Sequence, residues 1–352
     1  MKSFIRVSSG VGLFLVLVVL FSGCFGANDR KKATSPATDT AADYKYGKIE
    51  IPGKEGSLCA APIYIAYEKG FYAEEGFEVN LISANTETRK IGLNNGTIPI
   101  VNGDFQFFPS IENEVKVKVV DGLHFGCIKL LVHKASPIYS AKDLRGKRIS
   151  VDEIGGTPHQ VAAVWLEKNG ISAKPEDRQV TFLPFADGNL AVEALNKGEV
   201  DVAALWDPFG SVLEKTGNYR VILDIATDEP FADKFCCFLY ASEKLIKEEP
   251  EKVAALLRAY RKAQDWIAAN PEATVDLIIK GKYSQVEDRD LAIELIKSYA
   301  YPTTADRSAK PTQVRDNVRY FAEQLYSIGY LTTDPETFTK HAYVEIDINL
   351  GK

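Results

Sequence analysis

The reactive side chains that stand out in this 352-residue chain are its five cysteines and four histidines. Cys24 follows an apolar leader; the others are Cys59, Cys127 and the vicinal pair Cys236-Cys237. An even set of four in an exported chain suggests disulfides, and four cysteines allow three pairings. A Cys236–Cys237 bridge would strain the peptide between them, so pairing of either with Cys127 or Cys59 is the more natural arrangement. Plain burial is a second reading, because a free cysteine packs as a small hydrophobe. Contact with a ligand is a third. A fourth is a soft-metal site: Cys59, Cys127, Cys237 and His124 would complete a tetrahedral set of sulfur and nitrogen donors, although no CxxC spacing accompanies them.

Two further groups have binding chemistry. Gly155-Gly156-Thr157-Pro158-His159 opens a helix: the glycines let backbone approach a ligand, Thr157 can cap, and Pro158 suits the first turn. The free N–H groups of that turn favour a small anion. Gly156, Thr157 and His159 are therefore candidate contacts, against the plainer reading of a cap beside a surface histidine. His159 stands alone and supports no general-base role. Trp206-Asp207-Pro208 supplies an indole that can stack on a planar ligand or pack inside, and a carboxylate suited to a cation or amine. Upstream, Asn102 to Pro109 clusters three phenylalanines with an asparagine and a glutamine as amide handles. One of Phe105 and Phe107 is expected at the ligand; we assign Phe105 to it, together with Asp104.

The elements that position these loops can be read from pattern. Ile149-Ser150-Val151 is a short strand, His159 to Lys168 a helix, and Val180 to Pro184 a second strand. Asn189 to Lys197 is a helix, apolar at Leu190, Ala191, Ala194 and Leu195, and Val200 to Trp206 is a buried strand. This βαβαβ order predicts a parallel sheet covered by helices, with ligand at the carboxyl ends of its strands. Both suspicious loops fall at that edge. Asp121-Gly122 reads as a turn between the strands Val115–Val120 and Leu123–Val132.

The wording of the chain also resembles a family. SPIYSAKDLRGKRISV, GGTPH and ALNKGEVDVAALWDPF, with APIYIAYEKGFYAEEGFEVNLI upstream and FLYASEKLIKEEPEKVAALLRAYRKAQDWIAANPEAT downstream, are similar to solute-binding proteins of the nitrate, sulfonate and taurine class. That class serves ABC importers and includes thiamine-pyrimidine binding proteins. The resemblance runs from about Lys48 to Lys280. It implies a two-lobed α/β periplasmic-binding fold of type II, each lobe a mostly parallel sheet covered by helices, hinged on two crossing strands. It places Cys59 at the mouth of the cleft. It sets the crossings near Asp121–His124 and Phe235–Leu239, which would bring Cys127 and His124 close to Cys236 and Cys237. FCCFLYA is also similar to part of the CCCFC motif of fungal thiamine-pyrimidine synthases. It matches at Cys236, Cys237 and Phe238 and departs at Phe235 and Leu239, which argues against that chemistry.

The start of the chain points outside the cytoplasm. Lys2 and Arg6 precede an apolar run from Val11 to Phe21, shorter than the ~20 residues of a membrane span and suited to a signal peptide. Leu20-Phe21-Ser22-Gly23-Cys24 resembles a lipobox, departing at Phe21, and acylation of Cys24 would anchor the protein to the membrane. Residues 24–45 have little to bury and read as a tether. With 45% hydrophobic and 26% charged residues and a net charge of −6, the chain is an ordinary globular protein, not a nucleic-acid binder.

The expectation is thus a monomeric, lipid-anchored extracytoplasmic protein with one lobe from residues 46–122 and 240–352 and another from 123–239. It would close on a small molecule, an organic anion such as a sulfonate or a planar pyrimidine-like compound, and present it to a permease. It needs no cofactor and performs no covalent chemistry. Two rivals use the cysteines differently: capture of a thiophilic metal or organometal, and a pyrimidine-synthase-like enzyme.

Overall fold

A computed structural model describes residues 44–54, 57–284 and 286–352. The leader, the lipidation candidate Cys24 and nearly all of the tether lie outside the described residues. Among the described residues, ten strands form three sheets. β1 (Lys48–Pro52) and β2 (Glu78–Ile82) pair in parallel, and β1 lies alongside β3 (Ile100–Asp104). β10 (Phe235–Ser242) runs antiparallel between β3 and β4 (Val117–Phe125). The second lobe holds five strands in the order β7-β6-β8-β5-β9. Here β6 (Arg148–Val151) is parallel to both β7 (Thr181–Pro184) and β8 (Val202–Trp206). β5 (Ile128–His133) is antiparallel to β8 and to β9 (Tyr219–Asp224).

The βαβαβ reading is found in place. Helices Thr157–Lys168 and Gly188–Asn196 connect β6 to β7 and β7 to β8. β10 and β5 oppose both their neighbours because they bring the chain back after a passage between lobes. Those passages lie at Gly126-Cys127 and between Asp224 and Phe235, just outside the strands, since β4 and β10 pair wholly within the first lobe.

Asp121-Gly122 is not a turn. β4 passes straight through it, and each residue is there for a tertiary reason. Gly122 gives room to a ring: a Cβ at this position would lie 2.4 Å from the Phe235 ring. The buried Asp121 carboxylate accepts from Arg261 Nε at 2.8 Å and from its neighbour's backbone, Gly122 N, at 2.8 Å, with Arg307 Nη2 at 3.3 Å. Burial raises the carboxyl's pKa, but the two guanidinium groups outweigh it and hold it below its ordinary value. Among the described residues, no helix is long and apolar enough to cross a membrane.

Candidate functional site

Loops from both lobes enclose a cavity of about 240 Å³ at the carboxyl ends of β6 and β8, where the topology predicts a ligand. The second lobe supplies Asp152, Glu153 and Trp206. The first supplies Cys59, Tyr64, Arg89, Asn102, Asp104, Phe107 and Cys237 among others. Two of the roomier concavities, of about 580 and 620 Å³, are built by the first lobe with its C-terminal segment and lie away from this edge.

The Trp206 indole is held by a 3.0 Å bond from Nε1 to Asp152 Oδ2, so the two loops predicted to meet are tied together. Tyr64 and Phe107 give the pocket further aromatic surface; Phe107 stacks on Tyr240 with centroids 4.8 Å apart. Arg89 is the guanidinium of the pocket, and part of its donor set is engaged: Nε bonds Ala84 O, and Nη1 bonds Asn102 O and Oδ1. Burial draws its pKa down, with Tyr64 and Asp104 opposing.

Asp104 is buried at the pocket wall, accepting from Gln106 N at 3.0 Å and Nε2 at 3.3 Å. Burial brings its carboxyl up to about 7, and the Cys237 sulfur beside it adds to the rise. The Thr157 hydroxyl, across the cleft, offsets part of this from the edge of hydrogen-bonding reach without making a bond of standard geometry.

Eight sequence candidates do not line the pocket: Phe105, His124, Cys127, Gly156, Thr157, His159, Asp207 and Cys236. Phe105 stacks flat on Phe321, with centroids 4.1 Å apart, and belongs to the core; its partner in the loop, Phe107, takes the pocket position. Asp207 points to the helix Phe209–Lys215, accepting from Ser211 N at 3.2 Å and Oγ at 2.7 Å. Burial raises it to about 6. The buried His159 ring accepts Gly155 N–H on Nδ1 at 2.8 Å, with Tyr330 Oη 2.9 Å from the same nitrogen. Burial lowers it to about 4, so it is a neutral brace. Gly156 is the N-cap of its helix; a Cβ there would meet Asp152 Oδ1 at 2.6 Å, so it shapes the loop carrying the pocket carboxylates.

All four described cysteines are buried free thiols. Cys127 and Cys236 touch at an Sγ–Sγ distance of 3.2 Å without a bond. Cys59 Sγ lies 2.6 Å from Ser57 Oγ, and its carbonyl accepts from Tyr301 Oη at 3.0 Å. Cys59, His124 and Cys127 form one group of donor atoms within 4.8 Å of one another, and Cys127, Cys236 and Cys237 form another. The tetrahedral set read from the sequence is thus divided: Cys237 falls in the second group. Burial opposes charge on His124, but the Cys237 and Cys59 sulfurs outweigh it and push its pKa well up.

Sequence reasoning missed Tyr64, Asp152 and Glu153. The two acids follow β6 directly, in the same loop as Gly155-Gly156, which was the signal available.

A family model described as NMT1/THI5 like matches residues 59–274, more than half of the chain. The chain belongs to the NMT1/THI5-like family. YtlA of Bacillus subtilis (strain 168), named as a binding protein, is 23% identical over 262 residues, which is 72% of this chain and 75% of YtlA. An Escherichia coli (strain K12) protein named for binding aliphatic sulfonates is 30% identical over 146 residues, 36% of this chain and 44% of that protein. The periplasmic aliphatic sulphonate binding protein SsuA of Escherichia coli has the same fold at a TM-score of 0.67 and 18% identity, covering 87% of this chain and 94% of SsuA. This NMT1/THI5-like chain therefore has the two-lobed periplasmic-binding fold expected of it.

Proposed function

We propose that this NMT1/THI5-like chain is the extracytoplasmic substrate-binding lipoprotein of an ABC importer, anchored through Cys24 and acting as a monomer without covalent chemistry. The observation that carries this reading is the cavity of about 240 Å³ walled by loops of both lobes. Closure of two lobes on a small solute buries it and gives a permease a ligand-dependent surface to recognise. We take residues 46–122 with 240–352 as one lobe and 123–239 as the other, with the passages at Gly126-Cys127 and before Phe235 as the hinge.

Of the two ligand classes the sequence left open, pocket chemistry favours the planar, nitrogen-bearing one. Asp104, Asp152 and Glu153 share the pocket with a single guanidinium, Arg89, whose Nε and Nη1 are already bonded to Ala84 and Asn102. An unpaired sulfonate would meet these carboxylates at close range in a partly dry site, which is costly. Tyr64, Phe107 and Trp206 supply ring faces, and the carboxyls can accept from ring amino groups.

Native mass spectrometry of the purified protein, followed by calorimetric titration with an aminopyrimidine and an alkanesulfonate, tests the reading. A bound organic mass and binding of the aminopyrimidine are expected. Tight binding of the alkanesulfonate alone would reverse the ligand assignment, and absence of any small-molecule binding would remove the importer reading.

A further inference from the structure

The cleft uses Cys59 and Cys237 as lining. Cys127, Cys236 and His124 lie behind it with no part in that wall, yet they are drawn together with the other two. We propose that Cys59, His124, Cys127, Cys236 and Cys237 form a soft-metal site that takes Cu(I) in two three-donor groups sharing the Cys127 sulfur.

Three observations carry this. The first is spacing: each group holds three donor atoms mutually within 4.8 Å. A metal–sulfur bond of about 2.3 Å puts trigonal donors about 4 Å apart, so small side-chain adjustments close either group on an ion.

The second is His124. Its Nδ1 lies 2.8 Å from the Phe125 carbonyl, which can only accept, so Nδ1 is the donor. Its Nε2 is buried without a hydrogen bond of standard geometry, and its neighbours there are thiol sulfurs. An orphaned buried nitrogen costs about 1–3 kcal/mol, which a merely packed imidazole need not incur. A carbonyl holding one ring nitrogen while the other faces sulfur is the arrangement that orients a metal-binding histidine.

The third is the backbone. Adjacent strand residues point to opposite faces, so Cys236 and Cys237 should not both reach Cys127. They do because β10 bulges. Phe235 stands opposite Phe125 and Cys237 opposite His124, leaving Cys236 as the extra residue. A bulge of this kind re-aims side chains.

Donor chemistry selects the metal. Both groups consist of sulfur with at most one imidazole and contain no carboxylate. Such donors suit a soft ion, and three per ion suits monovalent copper, whereas structural Zn(II) asks for four. Entry is through the cleft floor, where Cys59 and Cys237 line the pocket.

The test uses the metal alone and so is independent of the importer reading. The full chain carrying Cys24→Ser, reduced and kept anaerobic, is titrated with Cu(I) against a chromophoric Cu(I) chelator and followed by native mass spectrometry. Two Cu(I) ions per chain are expected, with an ultraviolet thiolate-to-copper band. Cys127→Ala should abolish retention, and Cys59→Ser should reduce it to one ion. His124→Gln should weaken one of the two ions by at least about tenfold. No Cu(I) retained against the chelator, or unchanged stoichiometry in Cys59→Ser, overturns the site. Retention of Zn(II) but not Cu(I) overturns the choice of metal. Circular dichroism checks that Cys127→Ala folds; if it does not, Cys59→Ser and His124→Gln decide.

Discussion

Trp206 Nε1 donates to Asp152 Oδ2 across 3.0 Å, joining the loop after β8 to the loop after β6 and fixing the indole as a wall of the cleft. A hydrogen bond to a charged partner contributes about 1.5–3 kcal/mol. Trp206→Phe keeps a ring but frees it, so we expect at least about tenfold weaker binding of the solute recovered with the protein, read by calorimetry. Unchanged affinity would mean the indole is not held for the ligand.

Phe105 and Phe107 separate stability from binding. Phe105 is core, stacked on Phe321, and its replacement by alanine should cost about 3–5 kcal/mol in denaturant unfolding while leaving affinity intact. Phe107→Ala should lower both, because this ring also lines the cavity. Loss of affinity in folded Phe105→Ala would contradict the placement.

Asp121 binds two arginines under β4, so Asp121→Asn should cost about 3–5 kcal/mol by leaving charge unpaired. The carboxyl's pKa is depressed in the fold. Its contribution is therefore complete above its ordinary value of 3.8 and is lost as pH falls through the lower folded value. Acid unfolding followed by circular dichroism should show the wild type losing stability there and Asp121→Asn losing less.

Asp207 has the opposite sign. Burial lifts it to about 6, with Lys129 opposing and Asp224 reinforcing. The protonated acid is favoured in the fold, so its contribution is present below pH 3.8 and lost as pH rises through about 6. Asp207→Asn should be more stable than the parent at neutral pH, by up to about 3 kcal/mol, and indistinguishable near pH 4. A mutant less stable at both pH values would show that the ionised carboxylate caps its helix at a net gain.

The strand–helix alternation from β6 to β8 was legible because period and glycine punctuation agree there. The pocket edge followed from topology. Asp121-Gly122 was misread as a turn because its glycine answers to the ring of Phe235, over a hundred residues away. Phe105 and Phe107 could not be told apart for a similar reason: the partner that claims Phe105 is Phe321. Asp207 was decipherable in principle, since it follows β8 directly and the strand's alternation, carried one residue further, sends it to the side opposite Trp206. The gathering of the cysteines was implied by family resemblance. The bulge that turns Cys236 and Cys237 the same way leaves no mark in their types.

The thiols lie beneath the cleft floor and meet it through Cys59 and Cys237. Whatever occupies the cleft therefore covers whatever sits on the sulfurs. Two nested compartments with a shared doorway impose a sequence in time: the inner one fills first and empties last. A solute already in place would turn the cluster from an open port into a sealed one, so the history of loading, and not the concentrations alone, would decide what this protein carries.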